Sequence, residues 1–162
     1  MFRCTHESPL GAMTLLGTEA AVCAVLFAGQ RHEAAHLRPA EAGEPAAITR
    51  MRRELDAYFT GRLLHFTTPL APQGAPFQAA VWLALLDIPF GQTASYGALA
   101  GRLGKPRASR AVGAAVGRNP IAIAIPCHRV VGANGQLTGY AGGLDRKRAL
   151  LALEGGALFA AA

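Results

Sequence analysis

The order of apolar and polar positions divides this chain near residue 75. Before that point, residues 2–6, 13–17 and 22–28 are short runs of strand-favouring residues, and Ser8-Pro9-Leu10-Gly11 supplies a turn between the first two. A loop containing Pro39 and Pro45 follows over 38–47. Ile48, Met51, Leu55, Tyr58 and Phe59 then recur at helical spacing, and Gly61 ends that helix. From Thr67-Thr68-Pro69 to Gly74-Ala75-Pro76 the chain is a Pro/Gly-rich linker.

Beyond the linker the pattern is mostly helical. Pro76 suits the first turn of a helix over 77–86, because the N–H it lacks has no intrahelical partner there. Ile88-Pro89-Phe90-Gly91 closes that helix, and Ser95 is the expected N-cap of another over 96–103. Gly104-Lys105-Pro106 turns into a further helix over 107–117, and the pair suggests a helix-turn-helix. The second of these helices combines small residues (Ala108, Ala111, Gly113, Ala114, Ala115, Gly117) with Arg107, Arg110 and Arg118. Small residues let a backbone approach a DNA groove while arginines meet phosphate or enter the base stack. They serve tight helix–helix packing equally well. Residues 121–125 are too apolar for an exposed loop and are expected in the core. Asn134-Gly135 marks a turn, Gly139-Tyr140-Ala141-Gly142-Gly143 a loop poor in side chains, and Asp145 is expected to cap a closing helix over 146–154 that stops at Gly155-Gly156. The expected fold class is α+β in two parts: an α/β domain over 1–72 and a mostly helical domain over 73–162.

With 162 residues, 51% of them hydrophobic, the chain can bury a sizeable core. It contains no apolar run of membrane-spanning length and no signal-peptide pattern, so a soluble, cytoplasmic protein is expected. Cys4, Cys23 and Cys127 are an odd number without CxxC spacing, which argues against a disulfide framework. Charge is split at the linker. Residues 1–76 hold seven Arg and seven Asp or Glu, whereas residues 77–162 hold nine Lys or Arg against three acids, so the net +6 lies wholly in the second half. Such asymmetry points to an anionic partner, most commonly nucleic acid; a solvated basic face is the plainer alternative.

Within that basic half, Ile125-Pro126-Cys127-His128-Arg129-Val130 sets a cysteine beside a histidine. A thiol is nucleophilic only as thiolate, and its ordinary pKa of about 8.5 leaves it protonated at neutral pH unless a base or cation assists. His128 and Arg129 are available for that. A buried structural cysteine is the other reading of the hexapeptide alone.

Taken with its neighbours, the hexapeptide resembles the O6-alkylguanine-DNA alkyltransferases. The resemblance runs from Phe77 to Glu154 in one register: Pro76-Phe77-Gln78, Val81-Trp82, Ile88-Pro89-Phe90-Gly91, Thr93-Ala94-Ser95-Tyr96-Gly97, Arg110-Ala111-Val112-Gly113, Asn119-Pro120, Pro126-Cys127-His128-Arg129-Val130 and Gly139-Tyr140-Ala141-Gly142-Gly143. The first half matches weakly, mainly at Ser8-Pro9-Leu10-Gly11 and Ala57-Tyr58-Phe59, and the resemblance implies an RNase H-like sheet there. It further implies that Cys127 takes an alkyl group from guanine O6, once and irreversibly. His128 is the implied base acting through a water, Glu154 holds and stabilises His128, and Arg129 is structural. Tyr96 donates toward guanine N3, and Asn119 orders the turn before Cys127. Val130, Tyr140, Ala141 and Gly142 line the guanine pocket. Ala141 stands where relatives often have Ser, so only its backbone amide is on offer. Arg110 is the implied stack-filling residue of a helix that enters the minor groove, with Ala111, Ala114, Arg107 and Ser95 also at the DNA.

The implied partner is double-stranded DNA bearing O6-alkylguanine, with thymine O4 as a further target and the damaged base flipped out of the stack. The protein is expected to act as a monomer, near the nucleoid, with cooperative binding along DNA compatible with that. No cofactor is implied, and Cys4, His6, Cys23 and His32 do not fit the zinc pattern of some relatives. A non-catalytic alkylated-DNA lesion binder is the rival of the same architecture, and the presence of Cys127 argues against it. The chain is too short for the transcription regulators that fuse this domain to a methyl-sensing one. In papain-like hydrolases the base is distant in sequence from the cysteine.

Overall fold

The computed structural model describes residues 1–155. They form two compact units: Met1–Gln73 together with Pro120–Ala124, and Gly74–Asn119 together with the residues from Ile125 onward. The first unit is built on a four-stranded sheet of order β3-β2-β1-β4. Strands β1 (Phe2–Ser8) and β2 (Gly11–Gly17) are an antiparallel hairpin with Ser8 opposite Gly11. Gly11 adopts φ 111° and its carbonyl accepts from Ser8 Oγ at 2.7 Å, so the turn needs both residues. Strand β3 (Val22–Phe27) lies antiparallel to β2 and is buried almost throughout, because both faces of the sheet are covered. On one face Leu16, Ala24 and Leu26 pack with Leu37 and Ala40. The covering stretch contains one helical turn, α1 (Glu33–His36), and then a two-residue strand β4 (Glu41–Ala42) parallel to β1, inside the 38–47 stretch expected as loop.

Helix α2 (Ala46–Phe59) starts two residues before the spacing predicts and buries Ala47, Ile48, Met51, Glu54, Leu55 and Tyr58. This is the i, i+3, i+4, i+7 stripe of an amphipathic helix, and each large apolar member contributes about 1.5–3 kcal/mol. Glu54 is the polar exception. Its carboxylate accepts from the backbone N–H and the hydroxyl of both Thr67 and Thr68, at 2.6–3.1 Å. Burial alone would raise this carboxyl, but those bonds outweigh it and hold it below its ordinary range. The anchored segment then covers the outer edge of β3, where Val22 N–H donates to Pro69 O and Ala71 N–H to Val22 O. Further along the same edge, Val25 N–H donates to Pro120 O and Ala122 N–H to Val25 O, both at 2.9 Å. An edge strand that would otherwise invite pairing with another chain is thereby closed.

In the second unit α3 (Pro76–Leu85) opens with its proline, and Gln78 Oε1 accepts from Ala75 N–H at 3.0 Å. Gly74 has no room for a side chain, since a Cβ there would lie 2.4 Å from the Trp82 ring. Trp82 is buried and donates from Nε1 to Ala115 O at 2.8 Å, which seats α3 on the helix carrying Ala115. Strand β5 (Ala94–Ser95) leads into α4 (Tyr96–Arg102), capped by Ser95 Oγ at 3.0 Å from Ala98 N. Gly104 at φ 70° turns the chain, Ala108 N–H closes onto Lys105 O, and α5 (Ser109–Gly117) follows, two residues later than expected. A single 3-10 turn, Cys127–Arg129, runs into β6 (Val130–Val131), which pairs parallel with β5 so that Ala94 faces Val130. The closing helix α6 (Leu144–Leu153) corrects one expectation: Gly143, at φ 92°, occupies the N-cap and Asp145 lies inside the first turn, bonded to Arg148. Gly143 takes that backbone conformation without strain, whereas Asp145 already carries a helical backbone, so its carboxylate meets the helix dipole without capping. Gly155 follows the helix at φ 88°, and Gly156 lies outside the described residues.

Replacing Glu54 with Ala strands four donors and is expected to lower stability by about 2–4 kcal/mol in urea unfolding at pH 7. Because this carboxyl is depressed in the fold, its contribution is full above the ordinary carboxylate range and fades as pH falls through the folded value. The gap between wild type and variant should therefore narrow in acid.

Candidate active site

Every residue from 121 to 130 is buried, so Cys127 is delivered by a stretch of chain that water does not reach. Pro126 (φ −81°, ψ 62°) lets Cys127 N–H fold back onto Ile125 O at 2.8 Å. The 3-10 turn that follows has three residues per turn, which fans the side chains of Cys127, His128 and Arg129 about 120° apart. Adjacent residues thus reach different partners.

Glu154, at the C-cap of α6, gathers two of those side chains. Its Oε1 lies 2.7 Å from His128 Nε2 and accepts from an Arg129 Nη at 2.9 Å; its Oε2 accepts from Arg129 Nε at 2.9 Å and from Gly91 N–H at 3.4 Å. The other Arg129 Nη donates to Ile88 O at 2.6 Å, and the guanidinium lies 5.8 Å from the centre of the Phe90 ring. Burial opposes ionisation of Glu154, but the bonds and charges of His128 and Arg129 prevail and bring its pKa down to about 2. His128 moves the other way. Burial pushes it below its ordinary value, against the Glu154 bond and charge, and the Arg129 and Lys147 charges add to the lowering. Neutral imidazole beside an ionised carboxylate donates from Nε2, which leaves the lone pair on Nδ1. That nitrogen is buried and has no hydrogen-bond partner among the described residues.

Burial raises the Cys127 thiol, while hydrogen bonds from Asn119 and Tyr140 and the charge of Lys147 pull it back toward the thiolate. Asn119 also donates from Nδ2 to Ile125 O at 2.8 Å, so one amide holds both the thiol and the backbone before it. Tyr140, Ala141 and Gly142 are half-buried in a loop closed by Gly143 N–H on Tyr140 O and by Arg146 on Gly142 O. Tyr96 starts α4 beside this loop. Its hydroxyl accepts from Thr138 Oγ1 at 3.1 Å, and its ring packs where a Cβ at Gly113 would stand 3.5 Å away. Ser95 Oγ is engaged as the α4 cap. Arg107, Arg110, Ala111, Ala114 and Arg118 are exposed on one side of the α5 region, opposite buried Val112, Ala115 and Val116.

One member of the site was not anticipated. Lys147 is wholly buried, and its Nζ donates to Val130 O at 2.6 Å and Thr138 O at 3.0 Å. Burial lowers its pKa to about 8, against the favourable influence of Cys127. Helical phase was the available signal: Lys147, Leu150, Leu151 and Glu154 share the i, i+3, i+4, i+7 face of α6 and are all buried, whereas Arg146 and Arg148 flank it. Cys4 and Cys23 are half-buried on the sheet of the first unit. Among the described residues no three His, Cys, Asp or Glu side chains are grouped to hold a metal ion, and no helix is long and apolar enough to cross a membrane.

A buried Cys-His-Glu constellation joined through β5 and β6 to a helix-turn-helix defines a class: proteins that carry a cysteine, a histidine and a carboxylate together on a DNA-binding-type domain. The comparisons with known proteins agree. The sequence profile of the 6-O-methylguanine DNA methyltransferase ribonuclease-like domain matches residues 1–72, and that of the same family's DNA binding domain matches residues 76–156. The methylated-DNA–protein-cysteine methyltransferase of Mycobacterium bovis is 48% identical over 93% of this chain and 90% of its own. That of Methanosarcina acetivorans is 47% identical over 96% and 99% respectively. The crystal structure of Mycobacterium tuberculosis OGT in complex with DNA superposes with a TM-score of 0.87 at 45% identity, covering 96% of this chain and 94% of that one. The chain belongs to the 6-O-methylguanine DNA methyltransferase family.

Glu154→Ala leaves Arg129 buried with its charge uncompensated, and stability should fall by about 3–5 kcal/mol in urea unfolding. A carboxyl depressed to about 2 contributes fully above its ordinary value of 4.5 and loses that contribution as pH falls toward 2. Wild type should therefore weaken over that acid window, while the variant should weaken less.

Proposed function

We propose that this protein repairs DNA directly, moving a methyl or other small alkyl group from guanine O6 in duplex DNA onto Cys127. The observation that carries this reading is the pairing of His128 with Glu154 beside the thiol. A neutral imidazole with a free Nδ1 lone pair, oriented by an ionised carboxylate, is a general base in a dry site. His128 takes the Cys127 proton, directly or through one water, and the Glu154 carboxylate stabilises the resulting imidazolium. The thiolate then attacks the alkyl carbon in line. A carbon–sulfur bond forms, the carbon–O6 bond breaks, and its electron pair returns to the purine.

The leaving purine needs a proton donor or a strong hydrogen bond as negative charge develops, and the Tyr96 hydroxyl at the start of α4 serves that need at N3. Tyr140, Ala141, Gly142 and the Val130 backbone line the base pocket. Asn119 keeps the thiol and the Ile125 carbonyl in register with it. The product is a thioether, which has no easy leaving group, so each molecule acts once.

A base inside a duplex is out of reach of Cys127, so the nucleotide must flip, at a cost of a few kcal/mol. The exposed side of α5 suits the minor groove: Ala111 and Ala114 allow close approach, Arg107 meets phosphate, and Arg110 fills the vacated stack. The protein works as a monomer in the cytoplasm, on the nucleoid.

Intact mass before and after incubation with O6-methylguanine duplex is the direct test. The expected result is one added methyl per molecule, mapped to Cys127, and none on a folded Cys127→Ser variant that still binds DNA. Many turnovers, or a methyl mapped elsewhere, would overturn the reading. For the stack-filling role, Arg110→Ala should slow repair of duplex DNA at least tenfold while alkylation by free O6-benzylguanine stays within twofold of wild type, on the order expected for losing one inserted side chain. Equal losses on both substrates would remove that role.

A further inference from the structure

The Tyr96 hydroxyl is placed by more than its own ring. Tyr96 is the first residue of α4, behind the Ser95 cap, and its ring lies over Gly113, where an added Cβ would stand 3.5 Å away. Its oxygen is 3.1 Å from Thr138 Oγ1. A phenol has one proton, and its oxygen can also accept. A Tyr96 proton given to Thr138 could not also be offered to a purine, so a tyrosine that serves as donor must accept from the threonine. Thr138 is held ready on that side. An added Cβ at Gly132 would stand 3.5 Å from the Thr138 methyl, and a β-branched side chain packed on one arm has little freedom at χ1. The Thr138 carbonyl accepts from Lys147 Nζ at 3.0 Å, and the loop before it is closed by Gly132 N–H on Gln136 O at 2.8 Å. With main chain and methyl both fixed, the hydroxyl faces Tyr96.

We propose that Thr138 is a positioning residue for the transfer: its hydroxyl donates to the Tyr96 oxygen, so that the tyrosine proton points into the base pocket toward the leaving purine. The proposal rests on the reading of Tyr96 as the donor to guanine N3. In the step itself the carbon–sulfur bond forms, the carbon–O6 bond breaks, and the electron pair left by the alkyl carbon spreads into the purine. As N3 gains negative charge it draws the Tyr96 proton toward itself, and the phenol oxygen becomes more negative. Thr138 meets that charge. A hydrogen bond strengthens as its acceptor becomes charged, and bonds in series reinforce one another. No bond is made to Thr138, and its proton stays on its own oxygen. Thr138 is exposed and Tyr96 half-buried, so water competes for both hydroxyls at rest. The bond therefore adds little to stability and acts on the rate, once a bound base stands in place of that water.

Single-turnover methyl transfer from O6-methylguanine duplex, followed over a range of DNA concentrations, separates rate from binding. Thr138→Val keeps the shape and removes the hydroxyl; Thr138→Ser keeps the hydroxyl. The Val variant should be about tenfold slower at saturating DNA, with half-saturation within about twofold of wild type, and the Ser variant should recover most of the rate. In a Tyr96→Phe background the Val change should add less than about twofold, because the two hydroxyls act as a unit. Methylation of Cys127 by iodomethane supplies the reading that a merely structural role would not spare. Iodide leaves without a proton donor, so the Val variant should match wild type there. A Val variant as fast as wild type on DNA, or one slowed equally in the Phe background or toward iodomethane, would overturn the proposal. Thr138→Ala takes the place of a Val variant that does not fold. No methyl transfer from DNA by wild type would instead overturn the repair reading, and full-rate transfer by Tyr96→Phe would remove the donor tyrosine and this role of Thr138 with it.

Discussion

The carboxylate of Glu154 is the interaction on which the second unit's chemistry depends. A buried anion is tolerated only when its lone pairs are covered and its charge is balanced. Here the covering groups come from two separate places in the chain, the 3-10 turn with His128 and Arg129 and the turn after α3 with Gly91, while α6 presents the carboxylate. Arg129 extends the reach to Ile88 O, so one charge pair fixes the ends of two helices around Cys127. The imidazole tautomer is a by-product of that architecture. What holds the fold together also decides which imidazole nitrogen is left without a hydrogen-bond partner among the described residues.

Reactivity and burial are reconciled by keeping the resting site close to neutral. The thiol is raised and the imidazole lowered by the same exclusion of water, so neither is charged at rest, while Glu154, Arg129 and Lys147 carry charge within. Such a site stores little electrostatic strain between events. The pairing of β5 with β6 matters for the same reason, because it sets Tyr96 and the α5 helix in a constant relation to the sulfur.

Most of this was legible in the sequence where local chemistry decides the outcome. Ser95 caps α4 because a hydroxyl before a helix has one obvious donor to meet, and the α2 stripe is periodic enough to state its own buried face. Cys127, His128 and Glu154 stood out through residue type and company. Legibility failed where a residue's role depends on distant chain. Lys147, between two arginines, looks like part of a solvated basic run, and only the phase it shares with Leu150, Leu151 and Glu154 says otherwise. Asp145 looked like the cap because its type favours caps, yet a glycine with positive φ took the position. The pieces covering the sheet, α1 and β4, are too short to leave a period. Residues 121–125 announced that they were buried, but nothing in them names the strand they would cover.

That last segment sets an order in time. The edge of β3 is completed by Pro120–Ala122, which the ribosome adds almost a hundred residues after Val25. Until then the first sheet leaves the nascent chain with an open flank, and the whole helix-turn-helix is synthesised in the interval. The N-terminal unit therefore gains the last cover of this edge late, although it comes first in the sequence. Its completion and the arrival of Cys127, five residues beyond Ala122, are nearly the same event in the life of the chain.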